Sequence, residues 1–194
     1  FQLLNYKIIS NLPYNITSPV LWKFLHEEKN KSAQNFANNM ASRPSEMILM
    51  VQKEVGERIL AQPGKMSILS VLCQFYAECQ KVCDVSRGNF WPEPEVDSLV
   101  IKLKVKSEKF PPEADHPLAE KVNEKEFMRI VKIGFSAKRK MLKNNLSAGL
   151  KISQEKIREI LKKVGLNEKI RAQNLSVKNW VGLVEKLTTR QQDN

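Results

Sequence analysis

The residues best suited to chemistry lie in the string Asn11-Leu12-Pro13-Tyr14. Pro13 fixes its own φ angle and has no N–H, so it stiffens the turn that presents Asn11 and Tyr14. The Asn11 amide oxygen and a backbone carbonyl, of Leu12 or Pro13, can accept the two hydrogens of an exocyclic amino group. The Tyr14 ring can stack on the base that carries this group. These residue types predict that an adenine is held with its amino nitrogen ready to act as a nucleophile.

The same four residues follow an apolar segment, Tyr6–Ser10, that is typical of a strand. They would then lie at the carboxyl end of that strand, which is where open α/β sheets bind their ligands. For four residues alone, a turn that merely ends a strand is an equally simple interpretation. The longer string Asn11–Pro19, which reads NLPYNITSP, is far more specific.

This longer string resembles the N-[LIP]-P-[YF] motif of amino-group methyltransferases, and in its full form it is similar to the rRNA adenine N6-dimethyltransferases of the KsgA type. The resemblance implies S-adenosylmethionine (SAM) as the methyl donor. It implies catalytic roles for Asn11, Leu12, Pro13 and Tyr14, with Asn11 and Pro13 also contacting the cofactor. It implies no metal, and no general base is required, because the methyl group passes directly to nitrogen.

A second string, Asn89–Ser98 (NFWPEPEVDS), resembles the F-x-P-x-P-x-V-[DN]-S motif of the same family. There the aromatic residue packs on the extruded adenine opposite the tyrosine, and by position that residue is Phe90. The two prolines favour an extended loop that presents a ring rigidly, and stacking contributes roughly 1–3 kcal/mol per base. The alternative is a proline-rich connection in which Phe90 and Trp91 fill the core.

Residues 1–110 alternate between strand and helix patterns and predict an α/β sheet. No G-x-G-x-x-G occurs, so the sequence departs from the family in the loop that normally holds SAM. We therefore expect the C-terminal part of a Rossmann-like SAM-dependent methyltransferase sheet, in a chain that is the C-terminal two-thirds of a longer protein. The predicted strands are Tyr6–Ser10, Glu46–Val51, Phe75–Val85 and Ser98–Val105, and the predicted helices are Thr17–Glu28, Gln52–Ala61 and Met66–Cys73.

Pro111-Pro112 predicts a linker, and residues 111–194 predict a small all-α domain. Asn123, Ser153 and Ser176 are expected to cap helices, and Gly165 to end one. Phe135–Leu146 matches the family's F-x-x-[RK]-R-K-x-[LI]-x-x-x-L pattern. The helices are predicted to run from Asn123 to about Phe135, over Ala137–Ala148, from Ser153 to Val164, and from Ser176 to about Leu187.

The net charge of +11 indicates a partner that is a polyanion, with nucleic acid the first choice. The excess is +3 up to residue 110 (14 basic, 11 acidic) and +8 after it (18 basic, 10 acidic). Seven basic and no acidic residues lie between Met128 and Gln154, a block that would bind phosphates, although a solvated face is the alternative. The residues predicted to bind RNA are Lys53, Arg58, Arg87, Lys138, Arg139, Lys140 and Lys143.

The sequence predicts a reducing, cytoplasmic setting and a monomer without a membrane segment. Cys73, Cys79 and Cys83 lack ligand spacing and a nearby His, which favours small buried side chains over zinc. The resemblance implies N6,N6-dimethylation of adenosines near the 3′ end of small-subunit (16S-type) rRNA, and so a role in ribosome biogenesis. Two alternatives stay open: a non-catalytic rRNA-binding or ribosome-assembly module, and a macrolide-resistance-type dimethylase of large-subunit rRNA.

Overall fold

The structure, a computed structural model, describes residues 6–26, 43–106 and 122–188, which fall into two compact units. The α/β unit comprises residues 1–60 and 72–110, and the helical unit comprises residues 61–71 and 111–194. The sequence predicted one boundary, at residue 110, whereas the segment 61–71 groups with the helices. Two backbone bonds explain this, because the N–H groups of Gly64 and Met66 donate to the carbonyl of Gln173 at 2.8 and 3.1 Å.

The α/β unit contains a four-stranded sheet with the order β1-β2-β4-β3. β1 pairs with β2 in parallel, whereas β4 pairs antiparallel with both β2 and β3. The mixed α/β fold class is therefore confirmed, and each of the four predicted strands is present. The strands are β1 (Lys7–Asn11), β2 (Glu46–Gln52), β3 (Ala77–Val85) and β4 (Ser98–Val105).

One face of β2 and β4 forms the centre of this unit's core. Met47, Leu49 and Val51 are fully buried and lie directly opposite Leu103, Ile101 and Leu99. Their alternation with more exposed residues follows from the two-residue period of a strand, which sends every second side chain to the same face. These pairs fix the register between β2 and β4, because a slip by one residue would turn the three side chains of the shifted strand away from the core.

Two helices lie within the α/β unit, α1 (Thr17–Leu25) and α2 (Lys53–Ile59), and a third, α3 (Ile68–Tyr76), begins in the segment 61–71 and ends in the α/β unit. The prediction that a strand begins at Phe75 is wrong by two residues, because α3 continues through Tyr76. Both rings are buried and meet edge to face, with 4.8 Å between their centroids. This packing outweighs the strand preference of aromatic residues. Residues 27 and 28, predicted to end the first helix, lie outside the described residues.

The helical unit contains α4 (Glu124–Gly134), α5 (Leu142–Leu150), α6 (Gln154–Lys163) and α7 (Val177–Thr188). All three predicted caps are confirmed. Asn123 Oδ1 accepts from the N–H groups of Lys125 and Glu126, at 3.0 and 3.2 Å. Ser153 and Ser176 accept from backbone N–H groups three residues later. Gly165 follows α6 with φ at +71°, as predicted for a terminating glycine.

The prediction of one helix over Ala137–Ala148 is wrong. Residues 135–141 form turns, and α5 begins only at Leu142. The buried amide of Asn145 holds these turns, because its Nδ2 donates to the carbonyls of Gly134 and Ala137 at 2.6 and 3.1 Å. We call residues 137–140 the basic turn, since Lys138, Arg139 and Lys140 follow Ala137. The basic residues therefore lie on a clamped turn and not at a helix start.

Gly134 lies where α4 meets α7. A Cβ atom at this position would overlap the indole ring of Trp180 and contact the side chain of Leu142. Trp180 is fully buried, so the glycine is required by close packing and not by an unusual φ angle. Among the described residues, no helix is both long enough and apolar enough to cross a membrane.

Candidate functional site

The segment after β1 is held by main-chain bonds. Asn11 is the last residue of β1 and lies opposite Met50 of β2. The Leu12 N–H continues the pairing by donating to the Met50 carbonyl at 3.3 Å, and the Leu12 side chain is buried. Pro13 then turns the chain, with φ at −53° and ψ at 133°, into a single 3-10 turn. Asn11 consequently stays exposed at the carboxyl end of its strand.

Tyr14 is anchored to a strand that is distant in sequence. Its hydroxyl lies 3.0 Å from the Oγ atom of Ser98, the buried first residue of β4. The loop from Ser86 to Asp97 leads directly into that strand. This hydrogen bond therefore joins the first motif to the end of the second motif.

The loop from Ser86 to Asp97 is braced from within. Ser86 Oγ accepts from the N–H of Gly88 and so caps a 3-10 turn. The Arg87 guanidinium lies 3.0 Å from the Glu93 carboxylate and 3.3 Å from the Glu95 carbonyl, and the Arg87 N–H donates to Asp97 Oδ1 at 3.0 Å. Arg87 was predicted to bind RNA, but its side chain is engaged in this loop. Its contacts indicate that it positions the loop.

These two segments form the walls of one open cleft of about 330 Å³. All five residues predicted to be catalytic line it, which the sequence could only infer from the resemblance of two separate motifs to one family. Their chemical roles stay predictions. Trp91, Pro92 and Pro94 also line the cleft and were not predicted as site residues, although their place in the second motif was a signal for them. The cleft is lined by Asn11, Leu12, Pro13, Tyr14, Phe90, Trp91, Pro92 and Pro94.

Lys53 and Arg58 occupy different surroundings on α2. The Lys53 ammonium lies 3.4 Å from Asp84, which also pairs with Lys81. The hydrogen bond from Lys81 is the main reason that the pKa of the Asp84 carboxyl lies below its ordinary value. Desolvation opposes this, and the hydrogen bond from Lys53 adds to it. Arg58 is exposed. Lys53 is therefore partly neutralised by an acid, whereas Arg58 is presented to solvent.

The basic residues of the helical unit that were predicted to bind RNA differ in their exposure to solvent. Lys138, Arg139 and Lys140 are exposed on the basic turn. Lys143 is not, since only 8% of its side chain is accessible and its ammonium lies 3.7 Å from the Glu168 carboxylate. It is the second residue of α5 and is buried there. Burial removes Lys143 from the residues that we propose to contact RNA.

The three cysteines are not alike. Cys73 is buried, and burial raises the pKa of its thiol well above the ordinary value. Burial also raises the pKa of Cys79, to about 12. Cys83 is exposed, so the expectation of a buried side chain is wrong there: it lies on β3, most of which faces solvent. Among the described residues, no group of three or more His, Cys, Asp or Glu side chains could hold a metal ion.

The chain is similar over most of its length to proteins of one family. The family model described as "Ribosomal RNA adenine dimethylase" matches residues 3–189. A protein of Crocosphaera subtropica named "Ribosomal RNA small subunit methyltransferase A" is 36% identical over 179 residues, which are 91% of this chain and 59% of that protein. A protein of the same name from Nostoc punctiforme is 36% identical over 189 residues, 96% of this chain and 59% of its own length. The chain thus spans about three fifths of these relatives.

Solved structures show the same fold. A dimethyladenosine transferase from Plasmodium falciparum superposes with a TM-score of 0.70 at 23% identity, covering 96% of this chain and 68% of that one. The 23S rRNA methyltransferase ErmE superposes with a TM-score of 0.62 at 19% identity, covering 94% of this chain and 65% of that one. At these identities the likeness concerns the fold alone.

Proposed function

Because this chain belongs to the ribosomal RNA adenine dimethylase family, we propose that it takes part in SAM-dependent dimethylation of adenosine N6 in small-subunit rRNA, near its 3′ end. The observation that carries the proposal is the cleft, in which the predicted amide, backbone and aromatic groups meet. The name of these relatives supports small-subunit rRNA as the substrate over large-subunit rRNA. It therefore favours a KsgA-type enzyme over an enzyme of the macrolide-resistance type.

Asn11 and Leu12 are suited to hold the adenine amino group. The Asn11 side chain is exposed at the cleft and makes no hydrogen bond within the described part of the chain. The Pro13 carbonyl already accepts the Ile16 N–H at 3.1 Å, which favours the Leu12 carbonyl as the second acceptor. Two acceptors on the two amino hydrogens favour a more pyramidal nitrogen, whose lone pair is then available to react.

Tyr14 and Phe90 are suited to hold the two faces of the base. Each ring stands on a different wall of the cleft, and the bond between Tyr14 and Ser98 ties one wall to the other. An adenine extruded from RNA would lose its stacking partners. Stacking on these rings would replace them and restrict the base to one plane, so that its amino nitrogen faces the methyl donor.

The residues of this chain fit one side of a SAM site. The uncommitted amide of Asn11 and the exposed ring of Pro13 lie at the carboxyl end of a strand, where the fold binds ligands. These two residues would contact the cofactor. When bound, SAM would supply an electrophilic methyl group to the adenine amino nitrogen held by Asn11 and the Leu12 carbonyl, and this nitrogen would release a proton to water.

The basic turn is suited to bind the RNA backbone. Its three cations lie on a turn that Asn145 clamps, and they are exposed at the surface, where a polyanion could reach them. Binding of phosphates releases condensed counterions, so affinity would fall steeply with salt. Arg58 would add a further contact on the α/β unit.

The test is methyl transfer from labelled SAM to small-subunit particles, with nucleoside analysis of the product. It uses the protein as the cell produces it. We expect Asn11→Ala to lower the rate by about 100-fold or more, because it removes an acceptor at the reacting nitrogen. Asn15→Ala is the matched control, since Asn15 is exposed in the adjoining turn but does not line the cleft. Equal rates for the two variants would refute the proposed site.

One observation favours a second candidate function, an RNA-binding module without catalysis. The exposed cations Lys138, Arg139 and Lys140 are suited to bind RNA whether or not a methyl group is transferred. Calorimetric titration of the 194-residue chain with SAM bears on the choice, because binding would show that these residues hold the methyl donor. RNA binding without any methyl transfer would favour the module.

A further inference from the structure

Trp91 is the most exposed large apolar side chain among the described residues. Its accessible fraction is 98%, against 76% for the next, Ile9. No hydrogen bond or ring contact involves its indole within the described part of the chain. Exposure of a whole indole to water is unfavourable, and packing of the fold does not require it. The sequence left open that Trp91 fills the core, and the structure excludes this.

The surroundings of Trp91 make it a rigid platform. It lies next to Phe90 at the cleft that holds Asn11 and Tyr14. The loop on both sides of it is braced by the contacts of Arg87 with Glu93, Glu95 and Asp97. A ring on a braced loop loses little conformational entropy when a ligand stacks on it.

The charges of the loop indicate which part of a nucleotide would meet this ring. Glu93 and Glu95 are exposed in the same loop, and a phosphate placed there would be repelled by any carboxylate charge that Arg87 does not neutralise. An uncharged base is not repelled in this way. Stacking on an aromatic ring tolerates any base, because every base has a π face.

We propose that Trp91 stacks on the nucleotide that flanks the target adenosine and so positions the RNA strand at the cleft. The inference rests on the proposed function, since it assigns a second base-binding position beside the first. Trp91 would act as a positioning residue. It would orient the strand once the target base leaves its stack, and it would not touch the reacting atoms.

The test measures binding of a fluorescein-labelled single-stranded RNA oligonucleotide with two adjacent adenosines to the 194-residue chain, without SAM. We expect Trp91→Ala and Trp91→Leu to weaken binding about tenfold and Trp91→Phe by less than about threefold, because phenylalanine retains a ring for stacking. Val82→Ala is the control, since Val82 is 54% exposed and lies away from the cleft on β3. Thermal unfolding should not change, because the indole packs on nothing.

A second measurement assigns the contact to one base. Oligonucleotides with an abasic site on the 5′ or the 3′ side of the adenosines should bind the wild type more weakly on one side only, and Trp91→Ala should abolish that difference. Intrinsic fluorescence provides a direct signal, because Trp180 is buried and Trp22 is half-buried. RNA should therefore quench mainly the emission of Trp91, so that the quenching seen with the wild type should be largely lost in Trp91→Phe.

The outcomes separate this inference from the proposed function. If Phe90→Ala weakens binding and Trp91→Ala does not, the cleft binds a base but Trp91 has no role, and the inference is overturned. If neither variant changes binding, or if the RNA does not bind in low salt, the cleft is not a base-binding site. Both the proposed site and this inference are then refuted. Self-association of the chain that Trp91→Ala abolishes, without any effect on RNA binding, would assign Trp91 to a protein contact instead.

Discussion

The two units support their functional side chains in different ways. In the α/β unit, strand pairing fixes the main chain at Asn11 and Leu12, and the Asn11 and Trp91 side chains are left exposed at the cleft. In the helical unit, the basic turn is held by the buried side chain of Asn145 and lies just beyond the tight packing of Gly134 against Trp180. Backbone register positions one site, and side-chain packing positions the other.

This difference has a consequence for mutation. Exposed side chains at the cleft, such as Asn11 and Trp91, can change with little effect on folding, so they are free to serve chemistry. Residues that shape the basic turn cannot change without a cost in stability. The four predictions below test whether stability and function separate in the α/β unit and remain coupled in the helical unit.

The largest effect is expected for Gly134→Ala. The added methyl group would overlap the Trp180 indole and press on Leu142, and overpacking at such a site costs about 3 kcal/mol of unfolding free energy. Urea denaturation followed by circular dichroism measures it. Gly182→Ala is the control, because no atom lies within 4 Å of a Cβ built there. A loss below about 1 kcal/mol for Gly134→Ala would show that α4 and α7 are not packed as described.

Asn145→Ala is expected to cost about 2 kcal/mol, since two buried or half-buried carbonyls lose their donor. The basic turn should also open, and limited trypsin digestion after residues 138–140 should become faster. Asn144→Ala, at the half-buried neighbouring position, should do neither. Unchanged cleavage in Asn145→Ala would mean that the turn does not depend on the clamp.

Ser98→Ala is expected to cost only about 1 kcal/mol, the net value of one hydrogen bond. Tyr14→Phe removes the same bond from the other side, so the double variant should be no less stable than the less stable single variant. Chemical denaturation of the three variants measures this coupling. Strictly additive losses would show that the two hydroxyls do not interact.

The smallest effect concerns pH. Glu46 lies 2.7 Å from the Lys102 ammonium and 3.3 Å from that of Lys7. The hydrogen bond from Lys102 is the main reason that the pKa of Glu46 lies below its ordinary value of 4.5. Desolvation opposes this, and the hydrogen bond from Lys7 adds to it. A lowered pKa in the folded state stabilises the protein above pH 4.5, and this contribution is lost as the pH falls through the folded pKa.

We therefore expect the Tm of the wild type to decrease more than that of Glu46→Gln between pH 7 and pH 3. Glu57→Gln, at an exposed position of α2, is the matched control and should follow the wild type. Parallel decreases in Glu46→Gln and the wild type would contradict the role of the two lysines.

Local signals in the sequence were sufficient for much of the fold. Asn123, Ser153 and Ser176 cap helices through groups at most three residues away, so their types and spacing predicted the helix starts. The alternation of β4 likewise predicted its buried face. The prediction of a helix at the basic turn was wrong for the opposite reason. The hydrogen bond from Asn145 and the bond from the Leu142 N–H to the Ile170 carbonyl join residues that are not neighbours in sequence.

The candidate site was predictable only in part. Its motifs identified Asn11, Tyr14 and Phe90, but residue type could not show whether Trp91 was buried or exposed. The ion pair of Lys143 with Glu168 joins residues that are distant in sequence, and the engagement of Arg87 depends on how the loop folds back on itself. Composition counts a charge wherever it lies, whereas RNA meets only the charges at the surface.

The last residues of β2 adjoin both walls of the cleft, since Met50 lies opposite Asn11 and Gln52 lies opposite Ser98. Insertions and deletions should therefore affect the cleft very unequally along the chain. Residues added before β2 would leave the spacing of the two walls unchanged. A single residue added within β2 would move one wall about 3.3 Å along the other and reverse the faces of its side chains. The length of this strand is thus under stricter constraint than that of the loops.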